Sequence, residues 1–159
     1  MANTYTQFYV QLVFTPKNRD ALIQKSWKND LEKYITGIVQ CYGHKMLAIG
    51  SRPDHIHIFI GYNVNQLIPT LVEQIKTSTN LWIKKNNFTR FKFDWQKGYG
   101  AFTYSRSQLD SVVNYILKQE EHHRKKSFRE EYLQLLQDFD IQFKDEYLFE
   151  FFDNIENWD

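Results

Sequence analysis

The sequence predicts an α+β domain built on one antiparallel sheet, and three observations predict it. Apolar residues alternate at a period of two in four short segments. They repeat at helical spacing in the stretches between those segments, and no repeat, low-complexity tract or Pro/Gly/Ser-rich linker interrupts the order. Composition agrees: 42% hydrophobic and 17% aromatic residues over 159 positions suffice for one packed core and exclude a disordered or fibrous chain.

The first strand is expected from Tyr5 to Thr15, where Phe8, Val10, Leu12 and Phe14 alternate with Tyr9, Gln11 and Val13. From Ser26, a candidate N-cap, Trp27, Leu31, Tyr34, Ile35 and Ile38 fall at helical spacing up to Gly43, a candidate stop. Strands follow from His44 to Ser51 and from His55 to Tyr62, with Arg52, Pro53 and Asp54 turning the chain between them. Gln66 to Lys85 reads as an amphipathic helix carried by Leu67, Leu71, Ile75, Leu81 and Trp82, and the segment from Gly98 to Tyr104 reads as a fourth strand. The order is then βαββαβ, the ferredoxin-like pattern, with two helices on one face of the sheet and the other face free. Two further helices start at Ser-x-x-acid signals: one at Ser107 and Asp110, running from about Gln108 to Arg124, and one at Ser127 and Glu130, running from Phe128 to about Phe139. Residues 1–139 form the expected domain, and residues 140–159 an acidic, aromatic tail that docks on the same domain or on a second copy.

Charge is unevenly divided. Residues 1–137 carry 19 Lys and Arg against 11 Asp and Glu, a balance of +8, whereas residues 138–159 set Lys144 against 8 acids, a balance of −7. A basic body suits a polyanionic partner, because cationic side chains release counterions from a phosphate backbone. The acidic tail is expected to compete for that surface. Cys41 alone cannot close an internal disulfide, and neither a leader pattern nor an apolar run of about 18 residues is present, so a cytoplasmic protein without a membrane partner is expected.

Two clusters carry chemistry. In Asp54-His-Ile-His-Ile-Phe-Ile60 the strand period sends Ile56, Ile58 and Ile60 to one face and His55, His57 and Phe59 to the other. If the isoleucines pack under helices, the imidazoles stand side by side on the free face, either as metal ligands or as a hydrogen-bonded pair. On the helix from Gln108, Leu109, Val112, Val113 and Ile116 form the buried stripe, while Ser111, Tyr115, Gln119 and His122 share a polar face.

Together these clusters resemble a known family. His55-Ile-His57 matches the histidine-hydrophobic-histidine signature of HUH nucleases, and Tyr115-Ile-Leu-Lys-Gln119 matches the Tyr-x-x-x-Gln helix of their single-tyrosine transposases, the 200/605 insertion-sequence group that includes transposases associated with repetitive extragenic palindromes. The segments around residues 53–57, 95–105 and 115–123 are similar to that family as well.

The resemblance implies a ferredoxin-like fold and a divalent cation, Mg²⁺ or Mn²⁺, held by His55, His57 and Gln119. It also implies a Tyr115 nucleophile that leaves a 5′-phosphotyrosine and a free 3′-hydroxyl. It further implies single-stranded DNA with hairpin-bearing element ends as the partner, and a homodimer in which one subunit's tyrosine helix serves the other's histidines. Neutral imidazole and carboxamide ligands would leave the cation its full charge, and imidazole suits Mn²⁺ at least as well as Mg²⁺. Arg52, Arg90, Lys92, Lys97, Arg106 and Arg124 are the candidate DNA contacts. Tyr62, Trp95, Tyr99 and Phe102 are aromatics able to stack on bases, although core packing is the expected use of most of them. No side chain stands out as a general base for Tyr115. Two other readings compete: a non-catalytic ferredoxin-like module that binds single strands by stacking on its open sheet, and an HUH enzyme repurposed by its host.

Overall fold

The computed structural model describes residues 3–119, 126–155 and 158. Along the chain run β1 (Tyr9–Phe14), α1 (Lys25–Cys41), β2 (Lys45–Arg52), β3 (His55–Gly61), α2 (Ile68–Lys85), β4 (Gly100–Tyr104), α3 (Leu109–Leu117) and α4 (Phe128–Asp138). The four strands are antiparallel in the order β2-β3-β1-β4, so the ferredoxin-like βαββαβ expectation holds.

One face of the sheet is an apolar layer. Leu12 and Ile49 flank Ile58 in register, and Ile56, Ile58 and Ile60 are fully buried with Trp27, Leu31, Ile35 and Val39 of α1 and Leu71, Val72, Ile75 and Ile83 of α2. The buried positions of α1 recur every four residues, which keeps one stripe on the sheet. Gly43 stops α1 at φ +82°, donating its amide to Gln40 O, while the His44 amide reaches Val39 O.

Several local expectations need correction. Gln24, not Ser26, is the N-cap of α1. Leu67 and Leu81 are exposed, because the buried stripe of α2 runs through Leu71, Ile75, Thr79 and Ile83. The cap before α3 is Ser105, whose partner in the reciprocal box is Gln108, rather than Ser107 with Asp110; a single 3-10 turn precedes the helix. The helix expected from Gln108 to Arg124 ends at Leu117 within the described part, and residues 120–125, including His122, His123 and Arg124, lie outside it. The Ser127 cap of α4 stands, its hydroxyl accepting from Glu130 N at 3.2 Å.

The larger correction concerns the second face, expected to be free. It is covered: α3 packs there through Val112 and Ile116 against Tyr9, Ala48 and Phe59, and α4 lays Phe128 flat on His55, with ring centroids 4.1 Å apart at 10°. This explains why every residue of β1 is buried. Two glycines make the close approach possible. A Cβ on Gly50 would stand 2.7 Å from Ile116 O, and one on Gly100 would stand 2.8 Å from the Tyr132 hydroxyl. The tail packs on the same chain: Phe149 is buried against Tyr132 at 4.9 Å, Gln96 brackets Glu150 with two hydrogen bonds of 2.8 Å, and Arg19 donates to Asp153 O at 2.6 Å.

Candidate active site

Strand alternation brings His55 and His57 to the covered face, both at 0% exposure. Each ring is held from behind. His55 Nδ1 lies 2.7 Å from Asp54 Oδ1, and His57 Nδ1 lies 2.7 Å from Gln11 Oε1. Both Nε2 atoms face the same small volume. With a cation bound, Nδ1–H groups donated to those oxygens would leave Nε2 as the lone-pair nitrogen in both rings. Without one, the short Nε2 contacts to the Gln119 and Glu131 oxygens are hydrogen bonds that need a proton on Nε2.

Gln119, two residues past the end of α3, and Glu131 of α4 enter that volume. Gln119 Oε1 sits 2.9 Å from His55 Nε2, and Glu131 Oε1 sits 2.6 Å from His57 Nε2 and 3.8 Å from His55 Nε2. Both side chains are 3% exposed. Half-buried Tyr115 completes the cluster by donating its hydroxyl to Glu131 Oε2, with its ring 6.3 Å from that of His57. The fold therefore assembles His55, His57, Tyr115 and Gln119 as the sequence motifs suggest, and does so within one chain.

The residues fit a divalent cation. Ligand atoms of His55, His57 and Glu131 lie within 4.8 Å of one another, the Gln119 amide adjoins them, and both imidazoles have the carboxylate or carboxamide support behind them that metal-bound histidines use. The sequence leads to an expectation of an all-neutral ligand set, and the structure places the carboxylate of Glu131 beside it. As a ligand, that oxygen donor would make the site more hospitable to Mg²⁺ than two imidazoles and an amide alone.

Electrostatics follow from burial and from the two carboxylates. Burial by itself disfavours the imidazolium of His55, yet Asp54 and then Glu131 outweigh it and hold its pKa above the usual histidine value. Burial pushes the Tyr115 phenol far above its ordinary range, and the Glu131 charge and hydrogen bond push the same way. Tyr104, hydrogen-bonded by Gln11 at 2.7 Å, is raised by burial to about 12. Burial and Glu131 thus both favour the neutral phenol of Tyr115 over its phenolate.

The candidate DNA contacts separate on the structure. Arg52 is not on an open surface: it is 4% exposed, with its guanidinium 5.1 Å from the centroid of the Trp158 ring. Arg90 and Lys92 line a separate cavity of about 640 Å³ beside α2, which packs on the isoleucine face. Lys97 and Arg106 are exposed, the latter in the turn that leads into α3. Trp95 and Phe102 are core residues, Tyr62 is partly buried and stacks on His44, and Tyr99 packs at the core's edge.

Glu131, Gln11 and Asp54 escaped the sequence reading. Glu131 had a signal: it lies three residues after Phe128 and one before Tyr132, inside the stripe that continues to Leu136, where a carboxylate is out of place unless partnered. Gln11 similarly sits on the inward register of an otherwise apolar strand.

The comparisons with known proteins agree with this fold. A family model described as IS200-like transposase matches residues 4–119. The chain belongs to the IS200-like transposase family. Among solved structures, a protein of Deinococcus radiodurans R1 named as a candidate transposase shares the fold at a TM-score of 0.58 with 18% identity, over 75% of this chain and 95% of that one. A REP-associated tyrosine transposase bound to a REP hairpin shares it at a TM-score of 0.56 with 13% identity, over 77% of this chain and 73% of that one. No curated protein matches the chain. Among the described residues, no helix of this family member is long and apolar enough to cross a membrane.

Proposed function

We propose that this protein is a metal-dependent, single-stranded DNA endonuclease and strand-transferase of DNA transposition that works through a 5′-phosphotyrosine. The observation that carries the reading is the hydrogen bond from the Tyr115 hydroxyl to Glu131, the same carboxylate that meets the two motif histidines. Tyr115 Oη attacks the scissile phosphorus, the Tyr115–phosphorus bond forms, and the bond from phosphorus to the 3′-oxygen breaks. Glu131 Oε2 is placed to accept the phenol proton, and the departing 3′-oxygen takes up a proton to become the free hydroxyl. His55, His57 and Glu131, with Gln119 beside them, would hold a divalent cation, and the chemistry it would supply there is Lewis-acid polarisation of the phosphate. Phenolate is a good leaving group, so a 3′-hydroxyl of another DNA end can reverse the attack without an external energy source.

The hairpin partner of the REP-associated structure supports hairpin-bearing single-stranded DNA as the substrate class. A module that stacks bases on an open sheet fits poorly, because α3 and α4 occupy the face it would need. Because each chain completes its own cluster, a homodimer would carry two sites in cis. Mixing Tyr115→Phe and His57→Ala subunits should then restore nothing, whereas recovery of one site per mixed dimer would establish sharing between subunits.

The deciding test uses single-stranded DNA from either flank of this protein's own coding sequence, with Mn²⁺ or Mg²⁺. A protein–DNA adduct that survives boiling in detergent is expected from the unaltered chain and absent from Tyr115→Phe. An adduct with Tyr115→Phe would overturn the assignment.

A further inference from the structure

A cavity of about 430 Å³ opens onto Tyr115 and Glu131 between α3 and α4. Its volume lies in the range of small-molecule sites, about 300–1,000 Å³, which suits one nucleotide and not a duplex. Tyr104 and Leu135 give it flat and apolar walls, while Gln108, Gln134 and Asp138 bring polar groups to it.

The polar groups have a defined arrangement. Gln134 Nε2 donates to Asp138 Oδ1 at 2.8 Å across one turn of α4, and Gln108 Oε1 is engaged by Ser105 N at 3.0 Å, which fixes that amide. Asp138 lies in the last turn of α4, where a carboxylate opposes the helix dipole and costs stability rather than adding it. Asp138 and Glu131 bring two carboxylates to the cavity against Lys126, the single cation among the described residues that line it. That balance disfavours a run of phosphates and leaves the space to a base beside one phosphate.

We infer that this cavity seats the unpaired base next to the scissile phosphate and selects guanine, with Asp138 and Gln134 reading its Watson–Crick edge. The inference rests on the proposed Tyr115 chemistry, since an attacked phosphate must have a nucleoside within one bond of it on either side. An ionised carboxylate accepts and cannot donate, so it favours a base edge with adjacent N–H groups. Guanine offers N1–H and the 2-amino group side by side, matching both oxygens of Asp138, while the Gln134 amino group one helical turn away can donate to O6. Thymine presents a carbonyl where the carboxylate needs a donor.

The test uses the full chain and deoxyguanosine 5′-monophosphate against thymidine 5′-monophosphate, followed through the side-chain amide NMR signals of Gln108 and Gln134. Guanine nucleotide should saturate those signals at a concentration about tenfold or more below thymine nucleotide, the discrimination a bidentate edge contact gives. Asp138→Asn should erase the difference without lowering thermal stability, and Gln134→Ala should reduce it. In parallel, adducts formed with flank-derived DNA varied at the nucleotides beside the cut should favour guanine at one of them, and Asp138→Asn should flatten that position alone. Equal binding of the two nucleotides, or an unchanged base preference in both variants, would overturn the inference while leaving the strand-transfer reading intact. Guanine selectivity without any adduct would sink the strand-transfer reading and the placement beside the cut.

Discussion

The two faces of the sheet are made by the same strands and put to opposite uses. Toward α1 and α2, β3 presents Ile56, Ile58 and Ile60 to a layer that excludes polar groups; toward α3 and α4, the alternate residues His55 and His57 meet Gln11, Gln119, Glu131 and Tyr115. The two histidines are as hidden from solvent as the three isoleucines, while Tyr115 is only half-buried. Burial on the first face stabilises by removing apolar area from water, whereas burial on the second costs desolvation that hydrogen bonds must offset. A dry side thus supplies the stability that lets the wet side hold donors and acceptors in a geometry chosen for chemistry.

Paired substitutions can break this division of labour. The largest effect belongs to Tyr115→Phe, which should abolish the covalent adduct while leaving the melting temperature within a few degrees of the parent; a large drop in melting temperature would show the hydroxyl to be structural.

Next come neighbours on one strand. Ile58→Ala should cost about 2–5 kcal/mol of unfolding free energy through its cavity, yet preserve Mn²⁺ affinity in the folded fraction. His57→Ala should cost less, about 1–3 kcal/mol for the Glu131 oxygen left without its 2.6 Å partner, and lose measurable Mn²⁺ binding by calorimetry. If both variants moved stability and metal affinity together, the two faces would be one energetic unit.

Glu131→Gln sharpens the polar side alone. Mn²⁺ affinity should fall about tenfold or more, as for other metal-site partners, and the Tyr115 phenol, relieved of a neighbouring carboxylate, should ionise at lower pH in an absorbance titration. An unmoved tyrosine titration would remove Glu131 from the surroundings of Tyr115.

Gly50→Ala probes how closely α3 must approach. Its methyl group would stand 2.7 Å from Ile116 O, so a shift of the helix costing about 1–3 kcal/mol is expected, with weaker Mn²⁺ binding because Gln119 moves too.

The smallest effect is that of pH on the unmutated site. A proton on His55 competes with a cation, and its pKa is raised above 6.5, so Mn²⁺ affinity should begin to fall as pH drops from a point above that value. A metal affinity that holds constant until pH falls below the ordinary histidine range would contradict the influence of Asp54 and Glu131.

The sequence by itself determined the order of elements, the side of β3 on which the imidazoles stand, and the pairing of Tyr115 with Gln119, because each is a matter of local period or short spacing. The apolar stripes of α1 and the Ser127 cap were legible for the same reason. Only the tertiary structure decided that the histidine face is covered, that Arg52 lies beneath Trp158, and that Glu131 meets His57, 74 positions away, at 2.6 Å. Those facts depend on where α3, α4 and the tail dock, and docking is set by contacts such as Ile116 against Gly50 and Phe128 on His55, which join residues distant in the chain. A strand that alternates isoleucine with histidine reads as half exposed until a second pair of helices closes over it. What the sequence offered toward that closure was one misplaced charge, Glu131 within an apolar stripe, and its partners became visible only when the chain had folded around them.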